Sequence, residues 1–246
     1  MKTYFFSDLH LKNDEDRPSQ IFAGYLESLA ANSSRGRLCL LGDIFDFWLA
    51  DHSLFLRRHQ RVVTAILNLK KLNWEILYFE GNHDLHIHWF WRHRYGITVY
   101  NSAQYLNFEG VIFRLEHGDL INLNDKSYLK FRGFVRHGLI RPLAKILPGR
   151  FWRSIGDGLS RKSREAGSRR PIAASELRTM IREHAERSFL ERPFDVIVTG
   201  HMHVQDDVEI FVKGRQTRSI NLGSWFEGPH VTIWEAGIFQ THSLPN

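Results

Sequence analysis

The sequence is poor in cysteine. Its 246 residues include one cysteine, Cys39, so no disulfide can form within the chain and no cysteine-based zinc finger is available. We therefore expect a reducing compartment. Because Cys39 lies in the apolar run from Leu38 to Leu41, we interpret it as a core residue and not as a nucleophile.

Long hydrophobic runs are also absent from the sequence. A helix that crosses a membrane needs roughly 18 consecutive apolar residues or more, and no run approaches that length. The N-terminal apolar stretch ends at Ser7 and Asp8, which is too early for a signal peptide. With 43% hydrophobic and 24% charged residues, the composition predicts a globular protein with a sizeable core, and we expect it in the cytoplasm.

Acidic residues are scarce in one segment. From Lys126 to Arg170 there are 13 Lys and Arg residues but two acids, Asp157 and Glu165. The segment therefore carries +11, whereas the rest of the chain carries 6 − 11 = −5. Apolar residues recur between these charges at three- and four-residue spacings, which is typical of basic amphipathic helices. Such helices lie in a membrane interface or line a lipid pocket; a solvated face or a surface for nucleic acid are the alternatives.

Apolar runs and helical patterns alternate along the chain. Short strand-like runs precede longer helical patterns in the first third of the sequence, which is the rhythm of βαβ units. The predicted strands are 3–6, 38–41, 76–79, 98–100, 104–108, 111–115, 196–198, 208–212, 219–222 and 231–234, and the predicted helices lie at 20–29, 56–72, 89–93 and within 126–190. The pattern predicts one layered α/β domain over residues 1–246, with two mixed sheets and a helical insertion at about 125–192.

Five short segments each place a carboxylate, imidazole or amide directly after a predicted strand. They are Asp8-Leu9-His10, Gly42-Asp43, Gly81-Asn82-His83-Asp84, His117-Gly118-Asp119 and Gly200-His201-Met202-His203. Loops at strand ends are where sites lie in α/β folds, and glycines before Asp43, Asn82 and His201 suit sharp turns. Alternate residues of an extended backbone share a face, so each Asp-x-His or His-x-His pair can bind one centre.

The donor types in these segments indicate a metal site. Asp, His and Asn donors without thiolate favour divalent manganese, iron or zinc over a structural zinc site. Seven such donors are too many for one ion. Two cations about 3.5 to 4 Å apart, sharing a carboxylate, would clamp a phosphoryl group and lower the pKa of a bridging water. Hydrolysis at phosphorus is therefore the expected chemistry.

The series DLH, GD, GNHD, HGD and GHMH resembles the calcineurin-like metallophosphoesterase superfamily, in the order of that family from residue 8 to residue 203. The resemblance implies a four-layer α-β-β-α sandwich and two divalent metal ions. Mn²⁺ is the expected metal, with Fe or Zn as alternatives. It implies Asp8, His10, Asp43 and His203 as ligands of the first ion, and Asp43, Asn82, His117 and His201 as ligands of the second, with Asp43 bridging. His83 would stabilise charge on the phosphoryl group or protonate the leaving oxygen, and Asp84 would orient His83.

Within the superfamily the sequence is similar to the UDP-2,3-diacylglucosamine hydrolases of lipid A biosynthesis. The likeness extends to the segment GDIFDFW at 42–48, to SREAxS at 163–168 and to LGSW at 222–225. It implies substrate contacts at Asn82, Asp125, Tyr128, Ser163, Arg170 and His201. The sequence departs from that family where it has His83, since Arg usually follows the Asn ligand there, and where Gly167 and Arg170 replace the common Asn and Lys.

The expected activity is hydrolysis of the pyrophosphate bond of UDP-2,3-diacylglucosamine to UMP and 2,3-diacylglucosamine 1-phosphate (lipid X). The basic insertion would then bind the diphosphate and anionic headgroups, with the enzyme peripheral on the inner membrane and the nucleotide-lipid as its partner. Two other functions stay open. One is a metallophosphoesterase acting on another phosphodiester, nucleotide or nucleic acid, although nucleic acid is the less favoured partner. The other is a metal-free binding scaffold on the same fold.

Overall fold

The computed structural model describes residues 1–32, 35–140, 142 and 172–245. Its strands are β1 Thr3–Phe6, β2 Arg37–Leu40, β3 Trp48–Leu49, β4 Glu75–Phe79, β5 Asp84–Leu85, β6 Thr98–Tyr100, β7 Gln104–Phe108, β8 Val111–Leu115, β9 Val196–Thr199, β10 Gln205–Val212, β11 Arg215–Leu222, β12 His230–Glu235 and β13 Ile238–Ser243. Its α-helices are α1 Arg17–Ala31, α2 Ser53–Arg58, α3 Gln60–Lys71, α4 Lys126–Val135 and α5 Ala174–Glu191, and a π-helical turn spans Trp89–His93.

Two mixed sheets form the centre of the molecule. The six-stranded sheet has the order β13-β12-β1-β2-β4-β6, in which β1, β2, β4 and β6 are parallel. The five-stranded sheet has the order β10-β11-β9-β8-β7, in which β8, β9 and β11 are parallel. A pair of two-residue strands, β3 and β5, forms a small third sheet.

Strand alternation explains how the layers pack. Successive side chains of a strand point to opposite faces, so Tyr4 and Phe6 of β1 pack among helical residues such as Phe22 of α1, whereas Phe5 packs between the two sheets. Cys39 follows the same rule: it is fully buried between the sheets as a free cysteine, and burial raises the pKa of its thiol. This agrees with its interpretation as a core residue.

A second layer of helix closes the other side. Helix α5 packs Ala185 and Phe189 against Ile197, Ile210 and Val212 of the five-stranded sheet. The order of layers is therefore helix, sheet, sheet, helix, which confirms the expected fold class. The insertion at 125–192 stays a prediction, because α4 and α5 lie within it but the residues between 143 and 171 lie outside the described part.

Local chemistry explains several element boundaries. Helix α1 begins at Arg17 because the Asp16 carboxylate accepts the Ser19 N–H at 2.7 Å, which caps the first turn. The helix predicted at 56–72 is interrupted at His59 and divides into α2 and α3. Strands β3, β5 and β13 were not predicted.

Among the described residues, no helix is both long and apolar enough to span a membrane.

The burial of His59 predicts that the free energy of unfolding decreases at acidic pH. Its ring is buried against Phe45 at 4.6 Å and Trp48 at 5.9 Å between centroids, and its Nδ1 has no hydrogen-bond partner. Burial lowers the pKa of His59 from its ordinary 6.5 to about 3, so between these values the unfolded chain binds a proton that the folded protein does not. This single group therefore lowers the free energy of unfolding by up to about 1.4 kcal/mol per pH unit as pH falls below 6.5.

Urea unfolding with chelator at pH 7, 6 and 5 measures this effect. His59→Phe should lose less stability on acidification than the wild type does. The matched control is His242→Phe at an exposed position on β13, which should leave the slope unchanged. Equal slopes for the wild type and His59→Phe would show that His59 does not cause the acid sensitivity.

Candidate metal centre

The five predicted segments meet at one edge of the sandwich. Asp8, Asp43 and Asn82 follow the neighbouring parallel strands β1, β2 and β4 by two or three residues. His117 and His201 follow the neighbouring parallel strands β8 and β9 of the other sheet. The carboxyl ends of parallel strands share an edge of their sheet, and here the edges of both sheets converge.

One group of donors consists of Asp8, His10 and His203. The His203 Nε2 lies 3.2 Å from the Asp8 Oδ1 and 3.3 Å from the His10 Nε2. The His10 Nε2 is 4.0 Å from the same Asp8 oxygen. Three of the four predicted ligands of the first ion therefore face one point.

The other group joins Asp43, His117 and His201 with Asn82. The Asn82 Oδ1 lies 3.0 Å from both the His117 Nε2 and the His201 Nδ1, and these two nitrogens are 3.3 Å apart. The Asp43 Oδ1 is 3.6 Å from the His117 Nε2. These are the four residues predicted to bind the second ion.

Asp43 lies between the two groups. Its Oδ1 faces His117, while its Oδ2 lies 4.0 Å from the His10 Nε2. The Oδ1 also accepts the backbone N–H groups of Asn82 and His83, each at 2.8 Å. The carboxylate thus has the position that a bridging ligand requires.

The donors fit divalent cations. Asp8 is fully buried, and its Oδ2 accepts the His201 N–H at 2.8 Å, whereas its Oδ1 faces the His203 Nε2 at 3.2 Å. A buried carboxylate oxygen is costly unless a cation, either a metal ion or a protonated imidazole, compensates it. The His117 Nδ1 donates to the Leu41 carbonyl at 2.8 Å, so that its Nε2 lone pair points into the second group.

The pKa values of the imidazoles support this fit. Burial lowers the pKa of both His10 and His201 to about 4, so each ring is neutral and can bind a metal ion. At His117 burial also lowers the pKa, but the carboxylates of Asp43 and Asp8 outweigh it and raise the pKa to about 9. The two carboxylates therefore favour a proton on the His117 ring. A metal ion would compete with this proton for the same nitrogen lone pair.

The ligand loops have unusual backbone geometry. Asp8, His10, Asp43, His201 and His203 all have φ between 50° and 66°, a region that residues with side chains seldom adopt. The adjacent glycines allow close approach. A Cβ at Gly81 would clash with the Asp43 carboxylate, and one at Gly200 would clash with Ser7 and Asp8. Of the three glycines expected to form turns, Gly42 alone has a positive φ, of 85°.

His83 and Asp84 do not interact as predicted. The His83 Nδ1 lies 2.8 Å from the carbonyl of Asp46, and its Nε2 is 3.9 Å from the Asp43 Oδ2. Asp84 instead accepts the N–H groups of Asp43, Ile44 and Gly81 and the Tyr78 hydroxyl. The prediction that Asp84 orients His83 is therefore wrong, because the two side chains have different hydrogen-bond partners. Asp84 holds two ligand loops together.

The buried carboxyl of Asp84 is electrostatically unusual. Burial and the neighbouring Asp43 carboxylate raise the pKa of Asp84 to about 7, against the hydrogen bonds from Tyr78 and Gly81. Its four donors come from the loops of Gly42-Asp43 and Gly81-Asn82 and from β4. Its role is consequently to position the backbone beneath Asp43.

A cavity of about 530 Å³ opens above both groups. Asp125 and Tyr128, two of the predicted substrate contacts, line it together with Asn82 and His201. Asp125 also caps α4 by accepting the Tyr128 N–H at 2.8 Å. The Tyr128 ring lies 5.5 Å from the His201 ring, and burial raises the pKa of its phenol. The other two predicted contacts, Ser163 and Arg170, lie outside the described residues.

The structure adds residues that the sequence did not single out. Asp46, His10 and His83 form a third cluster of potential metal-binding atoms, and Phe226 lines the cavity. Arg132 donates to the Asp119 carboxylate at 2.6 Å. For Asp46 and Phe226 the sequence offered one signal, which was their position next to recognised motifs. It offered no signal for Arg132, because the contact of Arg132 with Asp119 joins two separate segments.

The fold and the paired donor groups define a metal-dependent hydrolase of phosphate esters. The family model described as calcineurin-like phosphoesterase matches residues 1–205, and the chain belongs to this family. The family uses divalent metal ions, and the Asp and His groups described above are candidates to hold them.

Curated relatives are similar to this chain over nearly its whole length. The UDP-2,3-diacylglucosamine hydrolase of Azotobacter vinelandii is 30% identical over 92% of this chain and 91% of its own length. Proteins of the same name from Neisseria gonorrhoeae and Psychromonas ingrahamii are 27% and 25% identical, over 91% and 92% of this chain and 89% and 90% of their own lengths. A solved archaeal phosphodiesterase has the same fold, with a TM-score of 0.50, 16% identity and coverage of 99% of this chain and 100% of its own.

Arg136 is expected to support the second donor group. Its guanidinium donates to the carbonyls of Glu80 and Gly81 at 3.2 and 3.1 Å and lies 3.4 Å from the Asp119 carboxylate. These contacts hold the two loops that carry Asn82 and His117. Arg136→Ala should weaken binding of one of two Mn²⁺ ions by about 10- to 100-fold, as loss of such supporting contacts does elsewhere.

Equilibrium dialysis against Mn²⁺ measures the affinity and the stoichiometry. The control is Arg61→Ala, which removes an arginine paired with Glu27 on the distant helices α1 and α3 and should bind Mn²⁺ as the wild type does. Unchanged Mn²⁺ affinity in Arg136→Ala would contradict the supporting role.

Proposed function

We propose that this enzyme hydrolyses the pyrophosphate bond of UDP-2,3-diacylglucosamine to UMP and 2,3-diacylglucosamine 1-phosphate. The observation that carries the proposal is the composition of the cavity. It joins both donor groups to apolar and aromatic side chains, Tyr128, Ile172, Leu177 and Met202, so a diphosphate and an acyl chain could occupy it together. The names of the curated relatives support the same substrate.

The proposed ligand set is the one that the family resemblance implies. Asp8, His10, Asp43 and His203 would hold one divalent ion, and Asp43, Asn82, His117 and His201 the other. We propose Mn²⁺, with Fe or Zn as alternatives, because mixed oxygen and imidazole donors suit all three. When bound, the ions neutralise phosphoryl charge and lower the pKa of water.

The residues of the chain supply orientation and charge. The Nδ1 of His83 lies 2.8 Å from the Asp46 carbonyl, and this contact fixes the ring with its Nε2 towards the two donor groups. From there the Nε2 can stabilise phosphoryl charge or hold a proton for the leaving oxygen. Asn82, Asp125, Tyr128 and His201 line the same cavity and are proposed substrate contacts, together with Ser163 and Arg170.

The proposed site of action is the inner membrane surface. Helix α4 and the residues after it expose Phe131, Phe134 and Leu139, at 37, 67 and 65% of their surface. They lie at the start of the segment 126–170, which carries +11. Exposed apolar side chains beside positive charge favour binding to anionic lipid.

An assay of the purified enzyme with Mn²⁺ tests the substrate. UDP-2,3-diacylglucosamine should yield UMP and the acylated sugar 1-phosphate, and Asp8→Ala should abolish the reaction because Asp8 would hold an ion. His83→Ala should retain bound metal but lose about 10²- to 10⁴-fold in kcat. No UMP above the Asp8→Ala background, with turnover of nucleic acid or another phosphodiester instead, would refute the lipid substrate and favour the competing function.

Vesicle sedimentation tests the membrane surface. The wild type should bind vesicles containing phosphatidylglycerol more tightly than vesicles of phosphatidylcholine alone. Phe134→Ser combined with Leu139→Ser should weaken that binding by about 10-fold, since each change removes apolar area that lipid would bury. The control is Phe211→Ser, at a 70% exposed position on β10. Equal binding by the double variant and the wild type would exclude this surface.

A further inference from the structure

Phe226 presents a large aromatic ring at the mouth of the cavity. It is 59% exposed, yet it lines the same cavity as the donor groups. Its ring lies parallel to the His10 ring, at 5.0 Å between centroids and an angle of 9°. It also meets the His203 ring edge to face at 5.3 Å. One face of the Phe226 ring packs against His10, and the exposed fraction of Phe226 indicates that the other face is open.

The backbone around Phe226 is firmly held. The preceding residue, Trp225, is buried against Phe6 and Phe22, and its indole N–H donates to the His230 carbonyl at 2.8 Å. The Trp225 backbone N–H donates to the Asp8 carbonyl at 3.2 Å. The loop is therefore fixed to a predicted ligand segment, and Phe226 has a defined position above the first donor group.

The two ends of the cavity differ in chemistry. Phe226 contacts His10 and His203, which belong to the first group. At the other end Tyr128 faces His201 of the second group. Leu177 packs there with Ile121, next to the His117 loop. Asp43 lies between the groups, so a diphosphate spanning both would direct its two substituents to opposite ends.

We propose that Phe226 is the stacking platform for the nucleobase of the substrate. This inference rests on the proposed function, in which the substrate is a nucleotide-lipid. The aliphatic end of the cavity receives the acylated sugar, which leaves the base at the end formed by Phe226. A flat ring with one open face suits a planar base, and such stacking tolerates any base because every base has a π-face.

Equilibrium binding of UMP and ribose 5-phosphate to the Mn²⁺-loaded enzyme tests the platform. The two probes share the sugar and the phosphate and differ in the base. The wild type should bind UMP more tightly. Phe226→Ala should weaken UMP binding by roughly 5- to 100-fold and leave ribose 5-phosphate binding unchanged. Phe226→Trp should keep the tighter binding of UMP.

Two results would overturn the platform. In one, the wild type binds both probes equally, so that the base contributes nothing. In the other, Phe226→Ala weakens both probes by the same factor, which would mean that Phe226 acts by supporting His10. The proposed function fails separately: if UMP is preferred through Phe226 but UDP-2,3-diacylglucosamine is not cleaved, the platform stands and the lipid substrate is wrong.

Discussion

The concentration of buried negative charge at the edge where the two sheets converge constrains the rest of the site. Asp8 and Asp43 are both almost completely buried, and each carboxylate has one oxygen that accepts backbone N–H groups from another ligand loop. The remaining oxygens face imidazole nitrogens. A carboxylate in such a position is stable when a cation compensates it. The folded site is therefore suited to bind divalent metal ions.

This arrangement carries a cost that the sandwich must offset. Five predicted ligands have a left-handed backbone, and strained residues of this kind cost on the order of 1–3 kcal/mol each. The strands beneath them are buried on both faces, with aromatic and aliphatic side chains alternating between the helical layer and the inter-sheet layer. Asp84 joins the loops above with three hydrogen bonds and accepts a fourth from Tyr78 of β4. The packing of these strands and the hydrogen bonds of Asp84 thus offset the strain at the site.

The sequence predicts those parts of the molecule whose signals are local. Strands β1, β6, β7 and β8 were predicted at their observed bounds, because apolar residues recur over each of these short segments. Strand β13 was missed, since it is an edge strand whose side chains are mostly exposed and mostly polar, and β3 and β5 are too short for periodicity to show.

Side-chain partners are harder to predict than elements. The five motifs indicated which residues converge, because strand ends share an edge. They misassigned Asp84, whose hydrogen bonds go to Asp43, Ile44, Gly81 and Tyr78 and not to His83. Arg136 had no signal, since its partners, the carbonyls of Glu80 and Gly81, are distant along the chain. Phe226 is equally distant from its partner His10, and its one signal was its position next to a recognised motif.

Helix α4 lies between the cavity and the loops of the second donor group. Tyr128 and Arg132 lie four residues apart on one face of α4, and Arg136 follows at the same spacing as the C-cap residue of the helix. Tyr128 faces the cavity, Arg132 binds the Asp119 carboxylate, and Arg136 binds the loop that precedes Asn82. The helix and the residue that follows it thus connect the cavity lining at Tyr128 with the loops that carry Asn82 and His117.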